Sequence, residues 1–395
     1  MPKHLVVCCD GTWNTADQSR NGLQSPTNVT RVALSIADGD GDGNRQCVYY
    51  HPGVGTSRRD HLSGGAFGVG LSANVLDAYA FLIDNYEPGD DLWFFGFSRG
   101  AFTARSVAGL VRNCGILRRQ NRDRISDAYG LYRSQREKPS GMASTLFRNA
   151  FSEEPTIEFI GVWDTVGALG IPPIGPGFLH PILNRINKRW SFHDTKLSSH
   201  VRGAYQALAI DERRRAFKPT LWQQQPDAQQ VLEQVWFAGV HSNIGGGLAD
   251  SSLSDLALLW LVERAQRHGL AFRRDALKPR PDDESSTPDP TAEVRFTVAP
   301  DAMTLPDKSL TLGYRLMTSP FDRPIGYEAG DDGGAGQFVA RSAVQLRDGL
   351  PHEYRPKELV RYLARTDRPG DVATPLAFIP TLSAARDPEH RDPAR

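Results

Sequence analysis

The chain has 395 residues and sets 46 Lys and Arg against 46 Asp and Glu, a formal net charge of zero that leaves no electrostatic footprint for a nucleic-acid partner. Seven Trp, 11 Tyr and 18 Phe supply the core of a large domain, and no apolar run reaches the roughly 18 residues of a membrane span. The cysteines Cys8, Cys9, Cys47 and Cys114 form no C-x-x-C pair, which excludes zinc-ribbon and thioredoxin-type chemistry.

Met1 to His4 shows no signal-peptide pattern and runs straight into Leu5-Val6-Val7-Cys8-Cys9. Synthesis in the cytoplasm is the expectation, with export left to a secretion system that needs no signal peptide. The run is apolar on both faces, as central strands of a parallel sheet are. Adjacent Cys8 and Cys9 then point to opposite faces and make poor disulfide partners. The strand ends in Asp10-Gly11-Thr12. A helix follows from Thr27 to Ala37, capped at Thr27 or Asn28. A Gly/Asp turn and a second strand over Gln46–Tyr50 come next. The glycine-rich stretch Gly64–Gly70 matches neither a dinucleotide fingerprint nor a P-loop, and is expected to be a flexible loop near a site rim. Val75, Leu76, Tyr79, Leu82 and Ile83 give Ser72–Tyr86 helical spacing.

Leu92–Phe95 reads as a buried strand running into Gly96-Phe97-Ser98-Arg99-Gly100, and Ala101–Leu117 as a helix. The five-residue pattern alone is also that of an ordinary turn. Strand before and helix after select a nucleophile elbow, in which Ser98 sits on a sharp turn above a helix N-terminus. A second helix is expected over Arg124–Arg136. The strand Ile157–Trp163 ends in Asp164-Thr165, and the Pro/Gly-rich insertion over 170–199 is expected to form a pocket wall or lid. Arg202–Arg214 reads as a helix ending in a basic cluster. The strand Gln234–Val240 ends in His241-Ser242-Asn243-Ile244-Gly245-Gly246-Gly247. A helix over Asp255–His268 follows, with Ser254 as its N-cap. The polar, Pro-rich segment 278–290 is expected to be mobile, and strand-poor accessory sequence to continue to about Ala364. The expectation is one domain over 1–366 and a partly frayed extension over 367–395.

Asp10, Ser98, Asp164 and His241 each follow an apolar strand. In a doubly wound, mostly parallel α/β sheet, ligands bind outside the carboxyl ends of the strands, so these four side chains belong to one site. The order Ser98, Asp164, His241 is the one that α/β-hydrolases use. Ser98 is a poor nucleophile until His241 takes its proton, and Asp164 would hold the imidazole tautomer and stabilise the imidazolium. A lone His at a strand end is more often structural, and an Asp before Thr often caps a turn; the shared sheet edge weighs against both. Asp211 is the rival acid, set aside because its helical, Arg-rich surroundings suggest surface ion pairs. Backbone N–H groups of Gly11 or Thr12, with that of Arg99, are the expected oxyanion donors, each worth about 3 kcal/mol. Asp10 is expected to brace that loop. Two alternatives stay open: a metal-dependent hydrolase ligated by Asp10, Asp164 and His241, and a non-catalytic binding module on a hydrolase fold. No ligand pair has metal-helix spacing, so no metal or other cofactor is expected.

These blocks together resemble an α/β-hydrolase domain family that includes lipase and phospholipase effectors of bacterial type VI secretion. The likeness is carried by 9–14 (Cys-Asp-Gly-Thr-Trp-Asn), 52–56 (Pro-Gly-Val-Gly-Thr), 96–105, 161–167, 207–214, 235–247 and 354–356, and spans most of residues 3–365. It implies a serine esterase with its triad on Ser98, Asp164 and His241. It also implies lipid esters as substrates, with transient contact at a membrane surface. The family pattern carries Asp where this chain has Asn243, and an aromatic residue where it has Leu248. Asn243 therefore supports the base without a charge, and both departures bear on the substrate.

Overall fold

Leu5 and Val7 of the first strand are buried on one face of a sheet, Val6 and Cys8 on the other. That alternation, apolar on both sides, is what a central parallel strand requires. The computed structural model describes residues 2–11, 19–20, 23–53, 66–134, 137–167, 197–223, 225, 230–274, 276–279, 296–310, 320–326 and 336–364. Among them, seven strands form one sheet: β1 (Lys3–Cys9), β2 (Arg45–His51), β3 (Asp91–Phe97), β4 (Ile157–Trp163), β5 (Val201–Ala209), β6 (Val231–Phe237) and β7 (Gln337–Val339). The order across the sheet is β7-β6-β5-β4-β3-β1-β2, and every pairing is parallel.

Helices cover both faces. On one lie α1 (Asn28–Ser35) and the helix Ser252–Arg267; on the other lie α2 (Ala66–Asn85), α3 (Arg99–Cys114), α4 (Ile125–Arg133) and α5 (Met142–Phe151). Trp93, Trp163, Phe159 and Trp260 fill the first layer, and Val107, Leu110, Tyr79 and Leu82 the second. A third apolar cluster joins Leu208, Trp236 and Val339 to two helices near the chain's end, Arg341–Gly349 and Lys357–Leu363.

Winding begins at β1, steps outward to β2, then crosses back to β3 and proceeds to β7. The reversal leaves a crevice between the carboxyl ends of β1 and β3, where ligands of such sheets bind. Register brings the strand ends level: Cys9 pairs with Gly96, Phe97 with Trp163, Trp163 with Ala207, and Ala209 with Phe237. Asp10, Ser98 and Asp164 follow directly, and His241 four residues after β6.

Several expectations need correction. Residues 201–209 form a strand, not the start of a helix. Ala204, Ala207 and Ala209 favour helix, but Tyr205, Ala207 and Ala209 pack on one face while Ala204 and Leu208 pack on the other. Burial between β4 and β6 decides the matter. The helix expected from Asp255 starts at Ser252, with Ser251 before it. Helix α2 reaches back to Ala66 through Gly68 and Gly70 where a loop was expected, and Gly64 and Gly65 lie outside the described residues. Helix α5 has no counterpart among the expected elements, and β7 shows that the accessory sequence completes the sheet. The insertion over 170–199 lies outside the described residues up to 196. Of the Pro-rich segment only 278–279 is described, in a short strand, and the extension over 367–395 lies wholly outside.

Candidate active site

Strand β3 delivers Ser98 onto a turn with φ 58° and ψ −119°, and α3 begins one residue later. Such a backbone conformation costs a side-chain-bearing residue about 1–3 kcal/mol. The flanking glycines are sterically required. A Cβ on Gly96 would stand 2.7 Å from Ala101 Cα and from the Gly100 oxygen, and one on Gly100 would fall on the carbonyl oxygens of Cys9 and Asp10. The turn is tied to β4 by the Ser98 N–H, which donates to the Trp163 carbonyl at 3.0 Å.

His241 opens a short helix, α6 (His241–Gly245), after β6. Its Nε2 lies 2.8 Å from Ser98 Oγ and its Nδ1 2.5 Å from Asp164 Oδ2. Asp164 as acceptor selects the tautomer protonated at Nδ1, which leaves the Nε2 lone pair to accept the Ser98 hydroxyl proton. The imidazole is packed between Phe97 and Phe217, with ring centroids 4.7 and 4.8 Å away. A side chain at Gly245 would overlap the Phe97 ring, so that glycine is what lets the His241 ring sit so close to Ser98. The turn is anchored by carboxylates: Gly239 donates its N–H to Asp211 Oδ2 at 2.8 Å, and His241 donates its own to Glu212 Oε2 at 3.3 Å.

Asp164 also adopts a positive φ of 41° and is fully buried. The Ala209 N–H donates to its Oδ1 at 3.1 Å. Arg323 donates to both oxygens, Nη1 to Oδ1 at 2.7 Å and Nη2 to Oδ2 at 3.1 Å, and also to the carbonyls of Ala209 and Phe217. Burial by itself would raise the Asp164 pKa. The Arg323 guanidinium and the His241 hydrogen bond outweigh it and hold this carboxyl well below the usual carboxylate range. Asp164 is thereby held as an anion beside the imidazole.

Asp10 faces elsewhere. Its Oδ2 accepts from the hydroxyls of Thr27 at 2.6 Å, Tyr50 at 2.9 Å and Thr30 at 3.0 Å, and its Oδ1 from the Gly11 N–H at 2.6 Å. Burial raises its pKa despite these donors. It ties the end of β1 to the start of α1 and to β2, a brace beneath the elbow. Gly11 thus directs its N–H to Asp10, Thr12 lies outside the described residues, and Arg99 supplies the first N–H of α3. Among the described residues no three His, Cys, Asp or Glu side chains converge to hold a metal ion, so Asp10 is not gathered with Asp164 and His241.

Asn243 Oδ1 accepts the N–H groups of Val240 at 3.1 Å and Asp307 at 3.2 Å, while its Nδ2 donates to Asp307 Oδ2 at 2.8 Å. It fixes the His241 turn against the 305–308 segment. Leu248 is half-buried just beyond. Among the described residues Asp211 makes no ion pair. It is half-buried, accepts from Gly239 and from the Tyr354 hydroxyl, and burial pushes it up to about 6.

Arg323 is the site residue that sequence reasoning missed. An ionised, buried carboxylate calls for a cation, but no motif or spacing marks which of the chain's 46 Lys and Arg supplies it.

A family model for type VI secretion phospholipase effectors, Tle1-like, catalytic domain, matches residues 3–264. An uncharacterised protein of Saccharomyces cerevisiae is 30% identical over 240 residues, which cover 55% of this chain. The match spans only 32% of that relative's length. Among solved structures, an uncharacterised protein from Pseudomonas aeruginosa gives a TM-score of 0.41 at 20% identity, covering 69% of this chain and 46% of that one. The Tle1 effector bound to the VgrG spike of the type 6 secretion system gives 0.34 at 18% identity, covering 62% and 51%.

Proposed function

The chain belongs to the family of Tle1-like phospholipase effector catalytic domains, and from that membership we propose that it is a serine carboxylic-ester hydrolase acting on lipid esters. Lipase- or phospholipase-type hydrolysis is what the family does; the residues and the mechanism are the proposal. One observation carries it: the hydrogen-bonded chain from Ser98 through His241 to Asp164, 2.8 and 2.5 Å long, at the carboxyl edge of the sheet.

In this mechanism Ser98 Oγ attacks the ester carbonyl as its proton passes to His241 Nε2. The resulting imidazolium is stabilised by the Asp164 anion, which keeps its own charge. The tetrahedral oxyanion forms above the N-terminus of α3, where the Arg99 N–H and the helix dipole favour negative charge. Collapse expels the alcohol, which takes the proton from Nε2 and leaves an acyl-Ser98 ester. Water then repeats the sequence, releases the fatty acid and restores the hydroxyl. No helix among the described residues is long and apolar enough to cross a membrane, and a lipid substrate would be met by transient contact at a membrane surface.

The test is a panel of p-nitrophenyl esters and phospholipid vesicles, assayed on the wild type and on Ser98→Ala. Turnover and labelling by a fluorophosphonate probe should both disappear in the variant and should survive a chelator in the wild type. Probe labelling that persists in Ser98→Ala would overturn the assignment. Loss of activity on chelation would favour a metal-dependent hydrolase.

A further inference from the structure

We propose that Arg323 is a positioning residue of the acyl-transfer site: its guanidinium fixes Asp164 and sets how tightly the Asp164–His241 pair holds a proton. The proposal rests on the Ser98–His241–Asp164 reading. It adds that residues beyond 264, where the family match ends, complete the site.

The geometry is that of a built clamp. Arg323 is 1% exposed, lies 159 residues along the chain from Asp164, and grips both carboxylate oxygens. Its own segment is held in place. Phe321 donates its N–H to the Arg213 carbonyl at 2.9 Å, Asp322 pairs with Arg213 at 2.8 Å, and Gly326 donates its N–H to Gln337 Oε1 at 3.1 Å. Ile325 is fully buried in the third apolar cluster. A planar fork so constrained positions a carboxylate where a lysine's single ammonium would not.

The electrostatic consequence follows from what faces the pair. The elbow contributes the neutral Ser98 hydroxyl. The loop after β5 contributes Glu212, which accepts the His241 N–H, and Arg214, which pairs with Glu212 and stacks on Phe217. Asp211 lies one step further, under Gly239. Glu212 and Arg214 largely offset each other, so among the described residues Arg323 is the cation that bears directly on Asp164. A positive charge there disfavours an added proton on the pair, whichever partner carries it. Removing Arg323 must therefore raise the pH at which the pair loses its proton, and with it the acidic limb of the rate profile.

The experiment measures pH profiles of kcat/KM for p-nitrophenyl butyrate, using the full chain. The variants are Arg323→Met, Arg323→Lys, Asp164→Asn and the Asp164→Asn/Arg323→Met double. Arg323→Met should lower kcat at least about tenfold with KM little changed, and move the acidic limb up by about one pH unit. Arg323→Lys should keep the limb in place while recovering only part of kcat, and that variant alone decides the matter if Arg323→Met does not fold. In the Asp164→Asn background the loss of Arg323 should cost less than about twofold, because it acts through the carboxylate. An unmoved limb with kcat near wild type, or losses that multiply in the double variant, overturns the proposal. If Ser98→Ala stays active, the underlying site reading has failed instead; if Ser98→Ala is dead and Arg323→Met behaves as wild type, only this proposal has.

Discussion

Tyr354 donates its hydroxyl to Asp211 Oδ2 at 2.9 Å, and the same oxygen accepts the Gly239 N–H at 2.8 Å. A residue near the chain's end thereby fixes the turn that presents His241. The carboxylate between them has its pKa raised to about 6 by burial, against about 3.9 in an unfolded chain. An acid that binds its proton more tightly when folded lends stability that is full below the unfolded value and is lost as pH rises through the folded one. Asp211→Asn keeps an oxygen for both donors and removes the titration. The variant should gain stability relative to wild type between about pH 4 and about pH 7, by about 3 kcal/mol at most. Urea unfolding across that range measures it, and parallel pH curves for the two proteins would refute the coupling.

Gly100→Ala should be among the most damaging single changes to the fold. The new methyl would meet the carbonyl oxygens of Cys9 and Asp10, which are main-chain atoms of a central strand and its end and cannot swing aside. Overpacking that no rotamer can relieve should cost about 3 kcal/mol or more. The control is Gly130→Ala on α4, where an added Cβ meets nothing within 4 Å; replacing a helical glycine there should stabilise by up to about 1 kcal/mol. Thermal melts of the two variants should separate in opposite directions. Equal melting temperatures would refute the steric account of the elbow.

Much of this site was legible because strand-end chemistry is local. Each of Asp10, Ser98, Asp164 and His241 sits where an apolar run meets small or polar residues, and a parallel sheet brings such ends to one edge whatever the details of winding. Where local propensity and tertiary burial disagree, the sequence misleads. Residues 201–209 look helical because Ala is a good helix former, yet the segment is sandwiched between two strands. Asp211 looked like a former of surface ion pairs in an Arg-rich segment, but a strand that ends at Ala209 carries it inward to the His241 turn. Arg323 had no local signal. Its place is set by the docking of β7 and its neighbours, and only three-dimensional proximity reveals it.

Asn243 was expected to support the His241 turn without a charge, and its surroundings favour the amide over a carboxylate. Its side-chain N–H donates to the Asp307 carboxylate at 2.8 Å, while its oxygen takes the Val240 and Asp307 N–H groups. A carboxylate at 243 would keep the two backbone donors but set its second oxygen against Asp307, with no proton between them. Asn243→Asp should therefore destabilise the chain at neutral pH by about 1–2 kcal/mol and raise the pKa of one of the two acids. The loss should shrink as pH falls toward about 4, because one shared proton restores the missing hydrogen bond. Asn243→Asp/Asp307→Asn reverses the polarity and should recover most of the stability at neutral pH, with the amide now at position 307 donating in the other direction. Turnover should follow stability, since the contact holds the His241 turn without touching the imidazole. If Asn243→Asp is as stable as wild type at neutral pH, or if the double variant is no better than the single one, residue 307 does not explain the asparagine.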